Sequence, residues 1–224
     1  QDDRTYRADR FDVEATAQPD RSLLVEETVM FRFTGGPFSF VFRELPTDHT
    51  DGITDIVAGV DGIPWPQGNG PGQVEISGQN PIEVTWHLPP TSDTAQTFTL
   101  SYRMLGVVRS GDAADVLNFQ PLPDEYDYPI DSSRITINYP PGATMTGQPE
   151  VTAGEATIST TENGVVFDMT GLAPGDPLVV RLAFEPGGFS AAPPTWQTQQ
   201  ATQNSRAWIW FVTAALILVG GFAA

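Results

Sequence analysis

The sequence predicts an all-β fold of two β-sandwich (Ig-like) lobes, followed by a single C-terminal transmembrane α-helix. Three observations predict it. Apolar side chains recur at every second position in many short runs before residue 189, the period of a strand with one buried face. The 21 glycines and 20 prolines are spread along the chain and fall between those runs, where turns are needed. Residues 207–224 carry no charge, and no earlier stretch has a helical pattern against which such a segment could pack.

The first strong alternation is Leu23 to Phe33, with Leu23, Val25, Val29, Phe31 and Phe33 on one face. Glu27 falls on that same apolar face. An unpaired buried carboxylate costs several kcal/mol in effective terms, so a guanidinium is expected beside it, with Arg43 and Arg103 nearest in pattern. Gly35-Gly36-Pro37 then turns the chain, and Phe38, Phe40 and Phe42 alternate down the next strand. Ile82, Val84, Trp86 and Leu88 share a face, as do Phe98, Leu100, Tyr102 and Met104. Later runs are Ile135, Ile137 and Tyr139; Val165, Phe167 and Met169; and Leu178, Val180, Leu182 and Phe184. Asn163-Gly164 before Val165 is a hairpin signal. The expected organisation is a first lobe over 1–110, a second over 111–188, a flexible stalk over 189–206 and the span over 207–224. The stalk assignment rests on a Pro-, Gln- and Thr-rich stretch without periodicity.

At the helical rise, residues 207–224 would extend roughly 27 Å, against a hydrocarbon core of about 30 Å. Arg206, Trp208 and Trp210 stand at its start, where a charge and amphipathic rings favour the interface. The opening on Gln rather than Met fits a terminus left by signal cleavage, and the chain stops inside or at the far edge of the apolar run, so the span is expected to be whole or cut short there. Together these predict a cell-membrane protein, single-pass within this chain, with its β lobes extracytoplasmic (N-out). Ala214-Ala215 and Gly220-Gly221 would let another helix approach closely. The expected partners are the lipid bilayer and other membrane protein subunits.

All eleven basic residues are arginine, and against 28 acids the net charge is −17. Such a surface excludes nucleic acid and anionic headgroups as natural ligands. There is no cysteine, hence no disulfide or thiolate chemistry. His49 lies in a polar turn sequence, and His87 falls opposite the apolar face of its strand. Asp124, Glu125, Asp127 and Asp131 form an acidic segment with the hard oxygen ligands calcium prefers, although nothing fixes the cage geometry. The alternative for this segment is a solvated inter-lobe loop, with Tyr126 and Tyr128 packing between lobes or meeting a partner. No nucleophile elbow, phosphate loop or zinc ligand set is present, so neither catalytic residues nor a cofactor is expected.

Several short motifs occur in a recognisable order. They are Arg21-Ser22-Leu23-Leu24-Val25-Glu26-Glu27, Phe42-Arg43-Glu44-Leu45-Pro46, Leu100-Ser101-Tyr102-Arg103, Asp115-Val116-Leu117-Asn118-Phe119 and Gly171-Leu172-Ala173-Pro174-Gly175. In these the chain resembles the YciQ-like predicted membrane proteins over about residues 8 to 188. Arg21 departs from the small turn residue usual there. The resemblance implies an extracytoplasmic β-rich domain of unknown function followed by transmembrane helices, and it carries no catalytic residues. The expected function is a non-enzymatic, membrane-anchored interaction protein, an accessory subunit of a larger membrane complex. The alternative is a ligand- or Ca2+-sensing domain.

Overall fold

The computed structural model describes residues 4–123, 125–189 and 192–203. Among them, fifteen strands form three sheets. The largest runs β13 (Thr157–Thr161), β14 (Gly164–Leu172), β11 (Ile130–Asn138), β1 (Thr5–Ala17), β2 (Leu23–Thr34), β8 (Ala95–Met104), β4 (Ile53–Val60) and β5 (Ile63–Pro64). A three-stranded sheet has the order β3 (Phe38–Leu45), β7 (Ile82–Thr91), β6 (Gln73–Gly78). A four-stranded sheet has the order β12 (Glu150–Ala153), β15 (Val179–Phe184), β10 (Asp115–Phe119), β9 (Val108–Arg109). The protein is thus mostly β, with little helix.

The large sheet passes through the boundary expected near residue 111. β1 and β11 pair in parallel, from Ala8 opposite Ile130 to Thr16 opposite Asn138. Early and late strands therefore share one continuous sheet, and the two smaller sheets cover it in separate places. Trp86 of β7 packs on Phe98 of β8 at 5.8 Å and donates its indole N–H to the Gly59 carbonyl of β4. Tyr139, just past β11, packs on Phe184 of β15 at 5.2 Å. The buried apolar side chains of all three sheets form one core.

β2 alternates as its sequence reads, Leu23 through Phe33 inward and their neighbours outward. β1 escapes the alternation because its register shifts between Ala8 and Arg10, and three of its inward side chains are small alanines. β3 differs from the simple pattern too. Its register shifts between Phe38 and Phe40, so Phe38 packs inward on Phe33 at 4.8 Å while Phe40 and Phe42 turn outward. Each of the latter is 56% exposed.

The stalk expectation is corrected over residues 195–203, which form a short helix. It is docked rather than free. Both Asp51 carboxylate oxygens accept backbone N–H bonds at its first turn, from Thr195 and Trp196, each at 2.8 Å. The Trp196 indole donates to the Gly106 carbonyl, and the Gln197 amide exchanges two hydrogen bonds with the Ser110 backbone. Gly106 has φ +64°, and a Cβ there would sit 2.7 Å from the Asp51 carboxylate, so only glycine leaves room for this contact. Polar capping, not an apolar face, fixes the helix, which is why no periodicity announced it. The transmembrane segment expected at 207–224, with Arg206, Trp208 and Trp210, lies outside the described residues. Among those described, no helix is long and apolar enough to cross a membrane.

Candidate recognition cleft

A cleft of about 1570 Å³ is bordered by all three sheets. β3 lines it from Phe38 to Glu44, and so do Arg109, Val116, Asn118 and Phe119 of β9 and β10. Aromatic rings make its floor. Tyr128 packs edge-on to Phe31 at 4.9 Å and against Tyr6 at 5.4 Å, and Tyr6 meets Phe38 at 6.0 Å. Trp196 of the helix also lines the cleft and meets His49 edge-on at 5.1 Å. The residues that line it thus come from all three sheets and the helix.

A buried ionic cluster holds β3 in place. The Arg43 guanidinium gives Nε to Glu27 Oε2 at 2.9 Å and Nη2 to Oε1 at 3.0 Å, a two-point contact between β3 and β2. The Tyr102 hydroxyl donates to Glu27 Oε1 at 2.8 Å, and Arg43 also reaches the carbonyls of Glu44 and Pro121. Burial alone would lower the guanidinium pKa; the Glu27 charge and hydrogen bonds outweigh it and hold the group above its ordinary value. Burial, followed by the Glu27 charge, raises the Tyr102 phenol well above its ordinary value. Arg103 does not join this cluster. Strand alternation turns it to the other face of β8, where it bonds Ser22 Oγ at 3.0 Å and pairs with Asp20. The Asp20 carboxyl is lowered chiefly by its Ser22 hydrogen bond, then by Arg103.

A second buried ion pair ties the β1–β2 turn to β10. Arg21, at φ +69° in the β1–β2 turn, reaches Asp115 of β10 through Nη1–Oδ1 at 3.0 Å and Nη2–Oδ2 at 3.3 Å. Its guanidinium lies 5.7 Å from the Phe189 ring centroid. The departure from a small turn residue at position 21 was the available signal, because an arginine there must find an anion if it turns inward. Tyr102 also had a signal, since it shares an inward face with Leu100 and carries a hydroxyl that needs a partner.

The acidic segment is divided among protein partners. Asp127 accepts the Tyr6 hydroxyl, and Asp131 lies 3.7 Å from Arg7. Glu125 is exposed at the cleft, and Asp124 lies outside the described residues. Among the described residues no group of three or more His, Cys, Asp or Glu side chains could hold a metal ion. Tyr126 is buried, donates to the Asp176 carbonyl at 2.9 Å and packs on Tyr128 at 5.3 Å. Its phenol is pushed up to about 12, by burial and then by the Asp176 charge. Burial likewise raises Tyr6 and Tyr128, with Asp127 adding to the effect at Tyr6. His87 lies 3.0 Å from Glu75 on the outer face of the three-stranded sheet.

No curated protein matches the sequence. Among solved structures, yeast LTA4 hydrolase is similar at a TM-score of 0.53 and 9% identity, over 80% of this chain and 29% of that one. An M1 zinc metallopeptidase variant from Deinococcus radiodurans gives 0.47 and 14%, over 79% of this chain and 42% of that chain. A putative nutrient binding protein from Legionella pneumophila gives 0.49 and 10%, over 79% and 66%. The chain spans less than half the length of the hydrolase and of the metallopeptidase, and at these identities the likeness to the hydrolase is one of fold alone. The family model for the N-terminal domain of the DUF2207 predicted membrane proteins matches residues 7–184. The chain belongs to that family.

Proposed function

We propose that this chain is the extracytoplasmic recognition part of a membrane protein, a non-enzymatic accessory subunit whose cleft receives a neighbouring polypeptide. The observation that carries this reading is the exposed aromatic pair Phe40 and Phe42, on a strand that also lines a cleft of about 1570 Å³. Large exposed apolar side chains grouped beside a concavity mark interaction sites more often than isolated ones do. The two buried ion pairs support the same reading, since they fix the walls on which such a surface depends. An apolar segment at 207–224 would confine the cleft near the bilayer and raise its effective concentration toward membrane partners.

The test is isolation of the full chain from its native membrane in mild detergent. A stoichiometric protein companion is expected. A monodisperse chain that carries no companion would sink the proposal.

A further inference from the structure

β3 is an edge strand. It pairs with β7 on one side, and among the described residues no strand pairs with its other side. Residues 38–44 of this strand line the cleft. Soluble proteins usually protect such an edge with lysine, proline or an inward charge, because a row of unpaired N–H and C=O groups templates another strand. Here the inward charge of Arg43 is neutralised by Glu27, and the outward positions carry Phe40 and Phe42, with their ring centroids 6.5 Å apart. Acids flank them on the same sheet face. Glu44 follows on β3, Glu83 pairs opposite Glu44, and Glu75 pairs opposite Thr85, itself the partner of Phe42.

We infer that the open edge of β3 takes an extended polypeptide segment as an added strand, with basic side chains outward and apolar side chains toward the cleft floor. This rests on the recognition reading above and names the partner's chemistry. An added strand would lie about 4.8 Å from β3, and its side chains would alternate between the two faces. Outward arginines would stack on the Phe40 and Phe42 rings and reach Glu44. Inward valines or leucines would rest on Tyr6, Phe31 and Tyr128. The chain's net charge of −17 attracts such a segment from a distance and disfavours an acidic one.

The experiment titrates the full chain, in detergent, into a fluorescein-labelled nine-residue peptide of alternating arginine and valine. Three controls accompany it: a glutamate–valine peptide, the arginine–valine peptide N-methylated at alternate amides, and the F40S/F42S variant of the chain. Saturable binding is expected, weakened at least about tenfold by N-methylation and by F40S/F42S, and absent for the acidic peptide. Amide hydrogen exchange should slow at residues 39–44 when the peptide binds. Equal binding of the N-methylated peptide, no binding of the arginine–valine peptide, or protection confined to another strand would overturn the inference. If a native companion then co-purifies equally with F40S/F42S, recognition stands and the β3 edge is not its site. If neither companion nor peptide binds, both readings fall.

Discussion

On β3, Val41, Arg43 and Leu45 face the interior, whereas Phe40 and Phe42 between them remain more than half exposed. Transfer energies alone do not favour placing an arginine inside while two phenylalanines stay outside. Burying a phenylalanine is worth about 1.5–3 kcal/mol, and desolvating a guanidinium costs several. A one-residue slip would exchange the two faces. The observed register therefore needs a specific lock, and Glu27 supplies it: its two carboxylate oxygens and the carbonyls of Glu44 and Pro121 accept from Arg43, while Tyr102 donates to Glu27. The contrast teaches that the inner face of β3 sets register and the outer face is left free for contact.

The sharpest way to break this contrast is Glu27→Ala. It leaves a buried guanidinium without its anion, and a loss of about 3–5 kcal/mol is expected in denaturant unfolding. The combined change E27L/R43M/Y102F removes the charges together and should recover most of that loss. If register depends on the lock, though, exposure of Phe40 and Phe42 should fall in that variant, a change visible in its crystal structure. Arg21→Gly is the parallel case at the second pair. It relieves a positive-φ backbone but strands Asp115, and a net loss of about 2–4 kcal/mol is expected, with Asp115→Asn restoring part of it.

The next effect is alkaline. Tyr6, Tyr102 and Tyr128 are all held above the ordinary phenol value of 10.0, mainly by burial. Their folded forms hold the proton more tightly than the unfolded chain does. The stability they contribute is thus complete below pH 10 and is lost as pH rises from 10 toward the higher folded values. Unfolding and the tyrosinate absorbance near 295 nm should rise together above pH 10; titration near pH 10 with the fold intact would contradict this. The smallest effects should come from the surface. F40S/F42S and Arg134→Ala, the latter removing the exposed Arg134–Asp168 contact at 2.7 Å, should each change stability by less than about 1 kcal/mol.

Much of this was legible in the sequence, for physical reasons that differ by element. β2, β7, β8 and β14 alternate cleanly because each has one face on the core, and the eye reads period two directly. Glu27 was conspicuous as a carboxylate out of phase, and the same alternation that put Arg43 beside it puts Arg103 on the opposite face. β1 was harder to read because its bulge breaks the period. The parallel β1–β11 pairing joins residues more than a hundred positions apart, and no local pattern encodes that. In sequence Phe38, Phe40 and Phe42 form one alternating set; the register shift between Phe38 and Phe40 separates the half-buried ring from the exposed ones. The helix at 195–203 rests on Asp51, far away in the chain, so its own composition could not reveal it.

The most direct test of the account places a photoreactive phenylalanine analogue at position 42, or at position 158 as a control, and irradiates the protein in its native membrane. Ile158 is also exposed and apolar, but it lies on β13 and does not line the cleft. The account predicts a discrete protein adduct from position 42 and none of that mass from position 158. Equal labelling from both positions, or no protein adduct from position 42, would contradict it.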